Sequence, residues 1–200
     1  MTTPSRDEFH ALAADHTVVP VWRELLADQV TPVGIYSRLV GDEPGFLLES
    51  VDHGETWGRF SFVGRRPLAT LEARGRTVQI TGELDRSIPT DAGILAAVEA
   101  VLERYHAPRI PELPPLQGGL MGYLGYDVTR EVEHLPDVPP DDTGHPDAVL
   151  SVIGELAAFD HWRQRVSLVA SVLVPDDADE GALELEVEAL GQDDLEDVTG

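Results

Sequence analysis

The chain has no cysteine and no lysine. The missing cysteines exclude disulfides, thiolate chemistry and Cys-based zinc sites together. All fourteen basic residues are arginine, against 37 acidic residues, for a formal charge of −23 at pH 7. A field of that sign repels polyanions instead of releasing their counterions, which argues against nucleic acid and anionic membranes as partners. Arginine-only usage fits a GC-rich coding sequence, and with the acidic excess it also fits adaptation to high salt. No stretch of eighteen apolar residues exists to span a membrane, and "MTTPSRDEFHALAADH" lacks the basic and apolar segments of a secretory signal. The expectation is a cytoplasmic protein. Also missing are a phosphate-cradling G-x-x-x-x-G-K-[ST], an H-E-x-x-H and a G-x-S-x-G. The histidines at 10, 16, 53, 106, 134, 145 and 161 form no i, i+4 pair, so a protein metal site is not supported and each reads as a surface or loop residue.

What is present suffices for a sizeable core: 200 residues, 42% of them hydrophobic, make one domain the default. Residues 18–25 read as a strand, and Thr31 and Pro32 open a short helix with Ile35 and Leu39 at helical spacing. "GFLLES" and "GRFSFVG" are β-runs flanking the polar loop "VDHGETW". "PLATLEA" and "TVQITGEL" follow, turning at Gly75, so the pattern predicts an antiparallel meander. Over Thr90–Tyr105 the apolar positions Ile94, Leu95, Val98, Val101 and Leu102 predict a helix capped by Thr90, with Asp91 at its positive end. The Pro-rich "APRIPELPPLQ" then leads into "GGLMGYLGYD", whose glycines read as close strand packing ahead of ligand contact. After the Pro/Asp-rich "LPDVPPDDTGHPD", the runs "AVLSVIGELAAF" and "RVSLVASVLV" predict a long hairpin turning at "DHWRQ". The predicted class is α+β, mainly antiparallel β-sheets in a sandwich-like arrangement with a few flanking helices. Residues 1–174 form the expected domain, and 175–200 an acidic tail that is a weak helix or disordered.

The stretch "LLES" ends a buried run on a carboxylate and a hydroxyl, Glu49 and Ser50. If Phe46 and Leu48 face the core, Leu47 and Glu49 share the other face, and Ser50 returns to the side of Leu48. Such a strand end suits the ammonium and polar atoms of a small zwitterion. Residue chemistry alone favours an ordinary strand-to-turn boundary over such a site.

The order of "VVPVWRELLADQVTP", "GFLLESVDHGETWGRFSFVG", "PLQGGLMGYLGYDVTREVEHLP" and "PDAVLSVIGELAAFDH" resembles the N-terminal region of anthranilate synthase component I, from about Val18 to Val174. That resemblance implies a lyase subunit of tryptophan biosynthesis that converts chorismate and ammonia to anthranilate and pyruvate. The ammonia is delivered from glutamine by an amidotransferase partner, component II, in a heterotetramer. It implies that the N-terminal sheets supply part of an L-tryptophan feedback site, with Ser50 and Glu49 from LLES and Arg59 from G-R-[FY]-S-F near the pocket. Tyr126 and Asp127, the "YD" pair, take a structural role. The resemblance also implies that the chorismate site, the Mg²⁺ carboxylates and a Pro-Tyr-Met segment belong to a later region absent from these residues. No catalytic or metal residue is therefore expected here, and the chain is not expected to catalyse alone. Component I of aminodeoxychorismate synthase, in folate synthesis, and a stand-alone, non-catalytic amino-acid-binding module are the alternatives.

Overall fold

The computed structural model describes residues 2–28, 30–49, 56–85, 87–138 and 140–174. Helix α1 (Arg6–Ala13) precedes β1 (Val18–Leu26), α2 (Pro32–Leu39) and β2 (Gly45–Glu49). A 3₁₀ turn (Thr56–Arg59) enters β3 (Phe60–Arg65), followed by β4 (Ala69–Arg74), β5 (Thr77–Gly82) and α3 (Ile94–Arg104). Then come β6 (Leu120–Leu124), a second 3₁₀ turn (Tyr126–Glu131), β7 (Ala148–Val152), β8 (Glu155–Asp160) and β9 (Arg165–Leu173). The strands pair antiparallel in two sheets, ordered β1-β9-β8-β3-β2 and β5-β4-β7-β6. The α+β class is as the sequence predicts. Each sheet has its own compact unit: of the described residues, those within 2–67, 106–118 and 153–174 form the first, and those within 68–105 and 119–152 the second. The predicted tail from residue 175 lies outside the described residues.

Three expectations change, two of them in the strands. The predicted meander over 45–82 is two hairpins in different sheets, because the chain breaks at Arg66, with φ of 44°, and at Pro67, which has no N–H for a ladder. The run "AVLSVIGELAAF" is likewise two strands: β7 pairs with β4 and β6, whereas β8 pairs with β3 and β9. Burial differs with the sheet: β7 is buried at alternate positions over its first three residues and β8 at all six. A run of apolar letters does not mark where one sheet is exchanged for another.

In the first unit, α2 starts as predicted, with the Thr31 hydroxyl accepting from the Gly34 N–H at 3.0 Å and Pro32 in the first turn. Ile35, 1% exposed, packs with Val63, Ala157, Phe159 and Val166. Helix α1 is not anticipated, although Ser5-x-x-Glu8 is a capping pattern: the Glu8 carboxylate accepts from the Ser5 N–H and hydroxyl at 2.8 and 2.7 Å. Its Phe9 packs on Val19, Val21 and Val172. Between β3 and β8, Arg65 stands opposite Glu155. The two form an ion pair at 2.5 Å, with side chains 7% and 11% exposed. Arg65 also donates to the Leu39 carbonyl, and Arg66 to Glu155, so the buried carboxylate and guanidinium hold several partners each.

In the second unit, Leu71, Ala73, Val78, Ile94, Ala97, Val101, Val128 and Leu150 build the core. Helix α3 begins at Ile94, not at Thr90 as expected. The segment before it is drawn onto β5, with the Val78 N–H donating to Thr90 O and the Gly93 N–H to Arg76 O. The cap comes instead from Glu131, whose carboxylate accepts from the Ile94 and Leu95 N–H groups at 2.8 and 3.0 Å. Gly93 has φ of 97°, and a Cβ there would sit 2.5 Å from that carboxylate. Gly122 is required for the same kind of reason, since a Cβ would lie 1.9 Å from Val149 O. The Gly-rich strand is thus a close-packing device at Gly122, as its sequence suggests.

Two stability predictions follow from these contacts. Glu131→Ala should lower stability by about 1–2 kcal/mol, as loss of a helix cap does, read by urea unfolding. Glu155→Ala should cost more, about 3–5 kcal/mol, because it strands buried Arg65. The double change Arg65→Met with Glu155→Leu should recover most of that loss.

Candidate functional site

The site residues of the first unit gather where β2 ends and β3 begins. Glu49 is the last residue of β2, exposed, and stands opposite Ser61 of β3. Ser50 lies outside the described residues. Leu47, not Leu48, joins the core around Ile35, while Leu48 is 39% exposed. The conditional assignment of faces is therefore reversed: α2 covers the face carrying Leu47, Val63 and Ala157. That is also the face to which Glu49, Ser61 and Phe159 belong by register.

Arg59 closes the 3₁₀ turn and is held from three sides. It forms a two-pronged ion pair with Asp160, its Nε donating to Oδ1 at 2.8 Å and its Nη2 to Oδ2. Its guanidinium also lies 4.8 Å from the Phe60 ring centroid and 5.1 Å from that of Trp162, the planar stacking for which arginine is suited. Asp160 accepts in addition from the Trp162 and Arg163 N–H groups at 3.1 and 3.2 Å, which shapes the "DHWRQ" turn between β8 and β9. Burial pushes the Asp160 carboxyl up, but the Arg59 hydrogen bond, the Arg163 N–H, the Arg59 charge and the Trp162 N–H together hold it below the ordinary carboxylate value. The same hydrogen bond raises Arg59 above its ordinary value, over an opposing effect of burial.

The sequence reading misses a second pair at this sheet end. The Ser61 hydroxyl, in a residue only 2% exposed, meets His161 Nε2 at 2.7 Å. The readable signals were a serine inside an aromatic strand, "RFSF", and a histidine directly after the buried "LAAFD" strand. Tyr126 and Asp127 lie in the second unit. Asp127 accepts from Arg130 at 2.6 Å and Tyr126 is 79% exposed. Among the described residues no three histidine or carboxylate side chains converge as a metal site. Nor is any helix among them long and apolar enough to cross a membrane.

The Asp160 carboxyl gives a pH test. A carboxylate with a folded value below its unfolded one stabilises the fold fully above the unfolded value and loses that contribution as pH falls through the folded value. Wild type should therefore be more stable than Asp160→Asn at pH 7, and the gap should close as pH is lowered below about 4. Urea midpoints at the two pH values provide the reading; a gap that persists in acid contradicts the assignment.

Comparison with known proteins gives a consistent relationship. No family model matches the chain. Anthranilate synthase component 1 of Mycolicibacterium smegmatis is 38% identical over 172 residues, covering 86% of this chain and 33% of the relative. The protein of the same name from Mycobacterium tuberculosis H37Rv is 39% identical over 176 residues, covering 86% and 34%. That from Streptomyces coelicolor is 40% identical over 169 residues, covering 84% and 30%. A crystal structure of anthranilate synthase component I from Streptococcus pneumoniae TIGR4 matches with a TM-score of 0.49 and 23% identity, over 83% of this chain and 35% of that one. The chain spans about a third of the length of the curated relatives it matches. It is a homologue of anthranilate synthase component I, corresponding to the N-terminal region of that family.

Proposed function

We propose that this chain is the effector-sensing N-terminal region of an anthranilate synthase component I. In that reading the whole subunit converts chorismate and ammonia to anthranilate and pyruvate. A glutamine amidotransferase, component II, supplies the ammonia within a cytoplasmic heterotetramer. Chorismate and Mg²⁺ are handled by the larger region that the relatives carry. The observation that most supports the reading is 38% identity to component 1 over 86% of the chain.

In the same proposal, L-tryptophan is the feedback ligand and binds at the end of β2. Glu49 supplies an exposed carboxylate for the ligand's ammonium group, with Ser50 beside it in the chain. Arg59 acts by holding the turn that flanks the site, since its guanidinium is committed to Asp160 and two aromatic rings. The sheet face opposite α2 offers a docking surface for the catalytic region. It carries Phe46, Leu48, Phe60 and Phe62, with Leu48 at 39% and the nearby Trp162 at 67% exposure.

Inhibition requires that tryptophan bind more tightly to a state that disfavours chorismate; equal affinity for both states shifts nothing. A ligand shared between the end of β2 and the catalytic region meets that requirement, because its contacts change when the two move. In a complete component I subunit, Ser50→Ala or Ser50→Phe should shift the tryptophan inhibition curve to higher concentration. Turnover without tryptophan should stay close to wild type. An inhibition curve that does not move removes Ser50 from the site.

A further inference from the structure

Register places Leu25, Val166, Phe159, Ser61 and Glu49 in one row across the first sheet. The row is apolar over three strands and turns polar over the last two. A serine 2% exposed in such a row needs a hydrogen bond to offset the desolvation of its hydroxyl. Its partner is His161, at 2.7 Å through Nε2. His161 is fixed in two further ways. Its main-chain N–H donates to Arg59 O at 3.0 Å, and its ring lies 6.3 Å from that of Phe159 with an interplanar angle of 18°. The residue is nonetheless exposed. An accessible imidazole, oriented by a buried hydroxyl, thus stands on the face to which Glu49 belongs.

Arg59, the obvious cation at this end, is poorly placed to take an anionic ligand. A carboxylate bound there would displace Asp160, which is 8% exposed and would be left charged without its main partner. We propose that His161, oriented by Ser61, receives the carboxylate of the zwitterionic amino acid whose ammonium group meets Glu49. This rests on the reading of the β2 end as an amino-acid site and names the group that holds the ligand's other pole. This arrangement requires the Nδ1–H tautomer of His161, with the Ser61 hydroxyl donating to Nε2 and Nδ1–H donating to the ligand.

The test is a calorimetric titration of a complete component I subunit carrying this region with L-tryptophan and with L-tryptophanamide, which keeps the ammonium and indole but lacks the carboxylate. Wild type should prefer the acid by about tenfold, the worth of one charge-assisted hydrogen bond. His161→Phe should remove the preference by weakening the acid and leaving the amide unchanged. Ser61→Ala should reduce the preference in the same way, and His161→Gln, which keeps a donor, should retain part of it. An undiminished preference in His161→Phe overturns the role of His161 and leaves the amino-acid site standing. Failure of wild type to bind either compound overturns the site and this inference together.

Discussion

The pairing of β3 with β8 holds the first unit together. These strands lie about a hundred residues apart in the chain, and each end of their ladder carries an arginine–carboxylate pair: Arg65 with Glu155, and Arg59 with Asp160. A slip of one residue would turn Val63, Ala157 and Phe159 away from α2 and expose them. It would also pull apart two arginine–carboxylate pairs whose carboxylates are largely buried. Hydrophobic burial supplies most of the drive to associate, while the charges decide the register. Everything at the candidate site inherits that decision, since Glu49, Ser61, Arg59 and His161 are all placed by β2, β3 and the turn after β8.

Much of this was legible in the letters. Thr31 and Pro32 opened α2, "GFLLE" and "FSFVGR" formed a hairpin, and the α+β class followed from short β-runs separated by turn residues. What escaped depended on contacts distant in sequence. The cap of α3 is Glu131, 37 residues beyond the first N–H that it binds, and no local pattern announces it. Thr90 has the right chemistry for a cap, but its carbonyl is used by β5. The division of "AVLSVIGELAAF" between two sheets was also hidden, because both halves are apolar and only their neighbours differ.

The site shows the same division between residue type and circumstance. "LLES" placed Glu49 at a strand end, as found, yet the face assumed for the core was the wrong one, because Leu47 finds the α2 core and Leu48 does not. The family resemblance put Arg59 near the pocket, but no local pattern announced its capture by Asp160, 101 positions away. That capture changes its chemistry from a free cation to a brace. His161, dismissed as a loop histidine, becomes interesting only when the fold brings Ser61 to its Nε2.

The proposed sensor therefore uses a rigid ladder to present a small polar cluster at one sheet end, where a ligand can bias a larger assembly without rearranging the core. Amide hydrogen exchange on a complete component I subunit carrying this region, with and without saturating L-tryptophan, tests that claim most directly. Added protection is predicted at the end of β2, the start of β3 and the turn after β8, with the second unit unchanged. Protection that is absent there, or that appears only in the second unit, would contradict the account.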